Sequence, residues 1–110
     1  MTVRKTLCRL SDLPDGSATA IDLDRGGIAA SAVLVRRGER VFAYWNECPH
    51  AGRRLDWSPG RFLFEHGQLI CAAHGACFVV ESGRCTDGPA RGSALTPLAV
   101  AVVDGDIVVD

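Results

Sequence analysis

Two short segments constrain this chain more than anything else in it: Cys48-Pro49-His50 and Cys71-Ala72-Ala73-His74, with twenty residues between His50 and Cys71. Each offers one thiolate and one imidazole, so together they make a two-pronged clamp with S2N2 coordination. Spacings of one and two residues suit a common zinc ribbon poorly, because that site is built from symmetric Cys-x-x-Cys pairs. With one ligand of each kind on each loop, the two cysteines can take one iron of a cluster and the two histidines the other. Soft thiolates and bridging sulfides favour iron, and imidazoles, bringing less negative charge than thiolates, raise the potential. A structural zinc ion on the same four ligands is the competing reading.

The rest of the chain must build a frame for that clamp. At 110 residues it has enough length for one domain and one core. With 47% apolar and 23% charged residues it has the make-up of a folded chain rather than a disordered one. Twelve basic residues against thirteen acidic ones give a net charge of −1, which disfavours nucleic acid as a partner. Five cysteines are too few, and odd in number, for a secreted disulfide scaffold. No apolar run approaches the ~20 residues of a membrane span. Met1 to Lys5 does not lead into the apolar stretch of a signal peptide, so a cytoplasmic location with reduced thiols and no membrane partner is expected.

The hydrophobic period is two almost throughout. Strands are expected at Val3 to Leu10, Ala18 to Leu23, Ala29 to Arg36, Arg40 to Trp45, Leu98 to Val103 and Asp106 to Val109. Leu13-Pro14-Asp15-Gly16 reads as a turn, and Asp104-Gly105 between two apolar runs is a strong hairpin signal. Between Glu47 and Gly92 the chain changes character. It is rich in glycine and carries only short apolar pieces, at Phe62 to Phe64, Leu69-Ile70 and Phe78 to Val80. No stretch sustains a capped helical period.

The ordered set of Cys48-Pro49-His50, Ala51-Gly52, Leu55, Cys71 to Gly75 and Gly88-Pro89-Ala90 resembles the Rieske-type [2Fe–2S] ferredoxins. The likeness runs from about Val3 to Val109. It implies an all-β fold, an antiparallel β sandwich or small barrel with an inserted cluster-binding subdomain. The base sheet would come from approximately 3–46 and 95–109, and the subdomain from approximately 47–94. It also implies one [2Fe–2S] cluster per chain, with Cys48 and Cys71 on the buried iron and His50 and His74 on the outer, reducible one. Gly88-Pro89-Ala90 matches the family's cluster-shielding proline loop, and Leu55 a packing position of the first ligand loop. Two ferric ions, two sulfides and two thiolates sum to zero charge, so reduction makes the site −1. Electron uptake and histidine protonation are then expected to couple at high pH.

The departures from the family's high-potential members are informative. Those carry a further cysteine in each loop, joined as a disulfide; here the positions hold Arg53 and Ala73. They also donate hydroxyls to the cluster, and here Ala76 and Phe78 occupy that neighbourhood. A potential at the low end of the Rieske range, about −150 mV, is expected. Cys8, Cys77 and Cys85 remain: the first reads as a small buried residue, the other two as reduced thiols flanking the Glu81-Ser82-Gly83 turn, with a labile disulfide across it as the alternative. His66, in a turn, is not expected to ligate. In the long inter-ligand interval, Phe62 and Phe64 are expected to pack on the subdomain. Trp57, Arg53 and Arg54, with Arg91, are candidates for a docking rim.

The resemblance implies a one-electron carrier without independent catalysis, moving electrons from a flavin-dependent reductase to a terminal oxygenase. Both would dock transiently near His50 and His74, and the carrier is expected to be a monomer. The alternatives are a small subunit or accessory module of a larger reductase of the nitrite reductase type, or the structural zinc domain. An oxygenase in its own right would need a second iron site, and only His66 is left to supply it.

Overall fold

The computed structural model describes residues 5–49, 54–58, 60–71, 75–88 and 91–109. Of the positions singled out above, Val3, Arg4, His50 to Arg53, Ala72 to His74, Pro89 and Ala90 lie outside them. The architecture is all-β and antiparallel, with ten strands among the described residues: β1 Lys5–Arg9, β2 Ala18–Arg25, β3 Ile28–Arg37, β4 Arg40–Trp45, β5 Leu63–Glu65, β6 Gln68–Ile70, β7 Cys77–Val79, β8 Cys85–Asp87, β9 Val100–Val103 and β10 Asp106–Val109. They form three sheets, in the orders β1-β10-β9, β2-β3-β4 and β5-β6-β7-β8. Among the described residues no helix is long and apolar enough to cross a membrane.

The middle sheet explains the stacking. In β3, Ala32, Val33, Leu34 and Val35 are all fully buried, the mark of a strand covered on both faces. Alternation then sends its side chains to two cores. Leu34 and its cross-strand partner Ala43 pack with Leu13 and with Ile107 of β10. Val33, Val35 and Tyr44 pack with Leu55, Leu69 and Phe78 beneath the third sheet. So β2-β3-β4 is the floor shared by a sandwich on one side and the glycine-rich region on the other.

Strands with long alternation fall where the sequence puts them: β4 and β10 match the expected spans, and β2 and β3 run one or two residues further toward their turn. That turn is tighter than expected, since Arg25 pairs directly with Ile28 across Gly26-Gly27. Asp104 and Gly105 both take positive φ, as a two-residue hairpin turn requires. A short 3-10 turn at Leu10–Asp12 and the strand β8 were not anticipated. Cys85-Thr86-Asp87 has no alternation to announce it, and it forms because β7 supplies a ladder.

Two joints fix the third sheet on the floor. The Tyr44 hydroxyl donates to the carbonyl of Val80 at 2.5 Å, and Gly83 lies under the Tyr44 ring. A Cβ at Gly83 would stand 2.7 Å from Tyr44 Cε1, so only glycine fits. Burial and the charge of Glu81 push the Tyr44 phenol up from its ordinary value. On the surface Arg37 pairs with Glu81. The return segment ties both layers: the Cys85 and Leu95 amides bond to Ser93 and Gly83, and the Trp45 and Leu98 amides to Thr96 and Ala43.

Candidate metal centre

Cys48 follows the end of β4, and Cys71 follows the end of β6. They are 23 positions apart in sequence, yet both are 1% exposed and belong to one buried cluster with Leu55, Leu69, Ala76 and Phe78. The two predicted thiol ligands thus belong to the same apolar core. His50 and His74, the predicted imidazole ligands, are outside the described residues.

The segment from Cys71 to Ala76 is the connection of the β6–β7 hairpin. The Cys71 amide donates to the Ala76 carbonyl at 2.7 Å, and the Gly75 amide donates back to the Cys71 carbonyl at 2.8 Å. Next to it lies Gly88, whose missing Cβ would be 2.7 Å from Ala76 Cα and 3.3 Å from the Gly75 carbonyl. The start of the expected proline loop is therefore pressed against the second ligand segment, and no larger residue fits there.

The first ligand segment closes differently. Asn46, 3% exposed, accepts the Leu55 amide on Oδ1 at 2.7 Å and donates from Nδ2 to Ser31 Oγ at 3.2 Å. Asp56 follows, with its side chain 1% exposed. Arg54 donates to it bidentately, Nε to Oδ1 at 2.9 Å and Nη2 to Oδ2 at 2.8 Å, and the Gly60 amide adds a bond at 3.0 Å. Burial alone would push the Asp56 carboxyl up. The bonds from Arg54, Gly60 and Asn46, with the Arg54 charge, outweigh it and hold the carboxyl below the usual range. Sequence reasoning missed Asn46 and Asp56. The available signal was a lone amide at a strand end and a carboxylate directly after a core leucine.

The remaining residues sort plainly. Phe62 and Phe64 pack against the buried cluster, as expected. Trp57 is 57% exposed, with the Arg61 guanidinium 5.8 Å from its ring centroid. Arg54 is bound to Asp56 rather than free on a rim, and Arg91 is exposed. His66 sits exposed in the β5–β6 turn with a φ of 51°. Cys77 and Cys85 are free thiols, and a register shift sets Cys85 opposite Phe78 and Cys77 opposite Asp87. Each thiol donates to a backbone carbonyl, of Gly75 and Asp87 respectively. Burial, with Asp87 and Cys85 nearby, pushes the Cys77 thiol up. Cys8 is half-buried rather than buried, and burial and Asp12 push its thiol up as well.

The chemistry of the cysteine side suits an iron–sulfur cluster: two buried thiols in one apolar core with Leu55, Ala76 and Phe78. Comparison with known proteins agrees. The Rieske [2Fe-2S] domain model matches residues 4–104, and the chain belongs to that family. The first relatives are much longer: the match to mouse apoptosis-inducing factor 3 is 30% identical over 87 residues, 79% of this chain but 13% of that protein. The 3-phenylpropionate/cinnamic acid dioxygenase ferredoxin subunit of Escherichia coli K12 is 29% identical over 103 residues, covering 94% of this chain and 89% of that one. The ferredoxin of carbazole 1,9a-dioxygenase from Nocardioides aromaticivorans IC177 superposes with a TM-score of 0.77 at 29% identity, covering 98% and 97% of the two chains. Membership implies a [2Fe–2S] Rieske cluster and makes the domain an electron-transfer component rather than a catalytic unit.

Proposed function

We propose that Cys48 and Cys71 hold one iron, and His50 and His74 the other, of a single [2Fe–2S] cluster carried by residues 47–94 on a base of 3–46 and 95–109. The domain then relays single electrons from a flavin-dependent reductase to a terminal oxygenase. The observation that carries the reading is the burial of Cys48 and Cys71 in one core cluster. The E. coli and Nocardioides relatives, both ferredoxins of dioxygenase systems, support the oxygenase as acceptor.

When bound, the cluster supplies reversible one-electron storage. The chain's own residues set the terms. Leu55, Ala76 and Phe78 are fully buried beside the cysteines, and their side chains offer no hydrogen bond. The single tyrosine of the sequence spends its hydroxyl on Val80. These described neighbours give the reduced state no side-chain donor, which supports a potential at the low end of the family. Partner docking belongs near His50 and His74, with Trp57 as an apolar contact beside the first ligand segment. Transient redox interfaces are small, so one exposed aromatic ring carries weight.

Absorption and EPR spectra of anaerobically purified protein, before and after dithionite, test the reading. The expected result is a red-brown protein with a rhombic signal on reduction. A colourless protein holding one zinc and no iron or sulfide, even after attempted cluster reconstitution, sinks it. In a reconstituted electron-transfer chain, Trp57→Ala should raise the half-saturating carrier concentration roughly fivefold or more while the potential stays put, as loss of an aromatic interface anchor does.

A further inference from the structure

We propose that Asp56 is a positioning residue for the cluster, acting through Arg54 and its chain neighbour Leu55 to hold the first ligand segment in its binding shape. The inference rests on the ligand assignment above.

A carboxylate with a 1% exposed side chain is costly to bury, and so is a 3% exposed amide. Both sit at the two ends of one ligand segment. Three donor groups converge on Asp56: Nε and Nη2 of Arg54 and the Gly60 amide. Asn46 in turn accepts from Leu55 and reaches Ser31 on β3, while its own amide donates to the Ser31 carbonyl at 2.9 Å. A continuous polar chain thus runs from the floor sheet to residues 54–56 and across to Gly60. Its tie to the metal centre is Leu55, whose amide is fixed by Asn46 and whose fully buried side chain packs in the cluster that contains Cys48 and Cys71. An ordinary surface ion pair would not combine a carboxylate with a 1% exposed side chain, a bidentate arginine and a buried amide at the other end of the same segment. A network that only stabilised the fold would have no reason to bracket a ligand segment.

The test uses the holo protein, with Asp56→Ala, Asp56→Asn and, as a control, Arg37→Ala, which breaks the surface pair with Glu81. Three quantities are read: the rate of bleaching by an iron chelator at fixed temperature, the reduction potential with the EPR line positions, and the melting temperature. Asp56→Ala is expected to bleach at least ~10-fold faster, the scale of a lost outer-sphere partner in a metal site. Asp56→Asn keeps the shape and one acceptor oxygen but turns an NH2 toward a donor, so its bleaching falls between Asp56→Ala and wild type. Its potential moves positive, because a negative charge is gone and Arg54 remains. Arg37→Ala changes the melting temperature alone.

Wild-type bleaching, potential and line positions in Asp56→Ala would overturn the inference. So would bleaching that rises only in proportion to the fall in melting temperature, as in the control. If Asp56→Ala does not accumulate, the bleaching of Asp56→Asn decides: bleaching faster than its fall in melting temperature accounts for supports the role, and bleaching in proportion to that fall removes it. A wild-type protein that takes up no iron or sulfide marks failure of the ligand assignment instead, and is read before any variant.

Discussion

The segment from Cys71 to Ala76 is closed by backbone hydrogen bonds, whereas the one from Asn46 to Leu55 is closed by side chains. The second grows out of a hairpin, so the ladder of β6 and β7 fixes its ends at no cost in sequence. The first leaves the end of β4, and Pro49 within it has no amide to give. Among its described residues the closing bond is made by the Asn46 side chain to the Leu55 amide, with Asp56 next in the chain. A ligand loop hung on a ladder tolerates change in its side chains; one hung on side chains does not. The family's two halves therefore fail in different ways.

The largest expected effect erases the contrast. Cys48→Ser or Cys71→Ser should each abolish the visible absorption and the iron content, because in the proposed site thiolates from both segments hold one iron. Either variant retaining a wild-type spectrum would show that a different cysteine ligates. Below that limit the segments separate. Gly88→Ala strikes the second: a Cβ 2.7 Å from Ala76 Cα, at a φ of 93°, should cost about 2–4 kcal/mol through overlap and backbone strain. Urea unfolding measures it, and a cost under 0.5 kcal/mol, taken as roughly the size of a surface substitution, would mean the two loops are not in contact.

Asn46→Ala strikes the first. It strands the Leu55 amide, which is buried, and should cost about 1–3 kcal/mol. Asn46→Asp keeps an acceptor for Leu55 but sets a second carboxylate against Asp56, so it should not rescue the loss. Rescue by aspartate to wild-type stability would show that Asn46 serves Leu55 alone and that the link to Asp56 is idle.

The same contrast separates what the sequence discloses from what it hides. Long alternating strands such as β3 and β4 were readable because burial on each face leaves a period in the residues. The proposed ligand segments stand out in the sequence because cysteine and histidine at short spacing have few other uses. Asp56 was not, since a buried carboxylate and a solvated one are the same letter; its partners at positions 46, 54 and 60 converge only in three dimensions. Strand β8 was hidden for a related reason: its three residues take their conformation from the neighbour they pair with.

The smallest effect is a pH dependence confined to the first segment. Hydrogen bonds hold the Asp56 carboxyl below its ordinary range in the folded protein, while in the unfolded chain it titrates near pH ~4. The folded pKa is the lower one, so the unfolded state binds the proton more readily. The stabilisation is therefore complete above pH ~4 and is lost as the pH falls through the folded value. Asp56→Asn has no such proton to bind. The gap in urea midpoint between wild type and Asp56→Asn should be widest near neutrality and close as the pH drops below ~4. Acid weakening of the metal centre itself acts on both proteins and cancels in the difference. The steric penalty of Gly88→Ala, by contrast, should stay constant over the same range, since the groups that clash there are a methyl and a backbone. A gap for Asp56→Asn that is as flat with pH as the one for Gly88→Ala would mean the carboxylate is not held below its ordinary range, and the side-chain closure of the first segment would reduce to neutral hydrogen bonds.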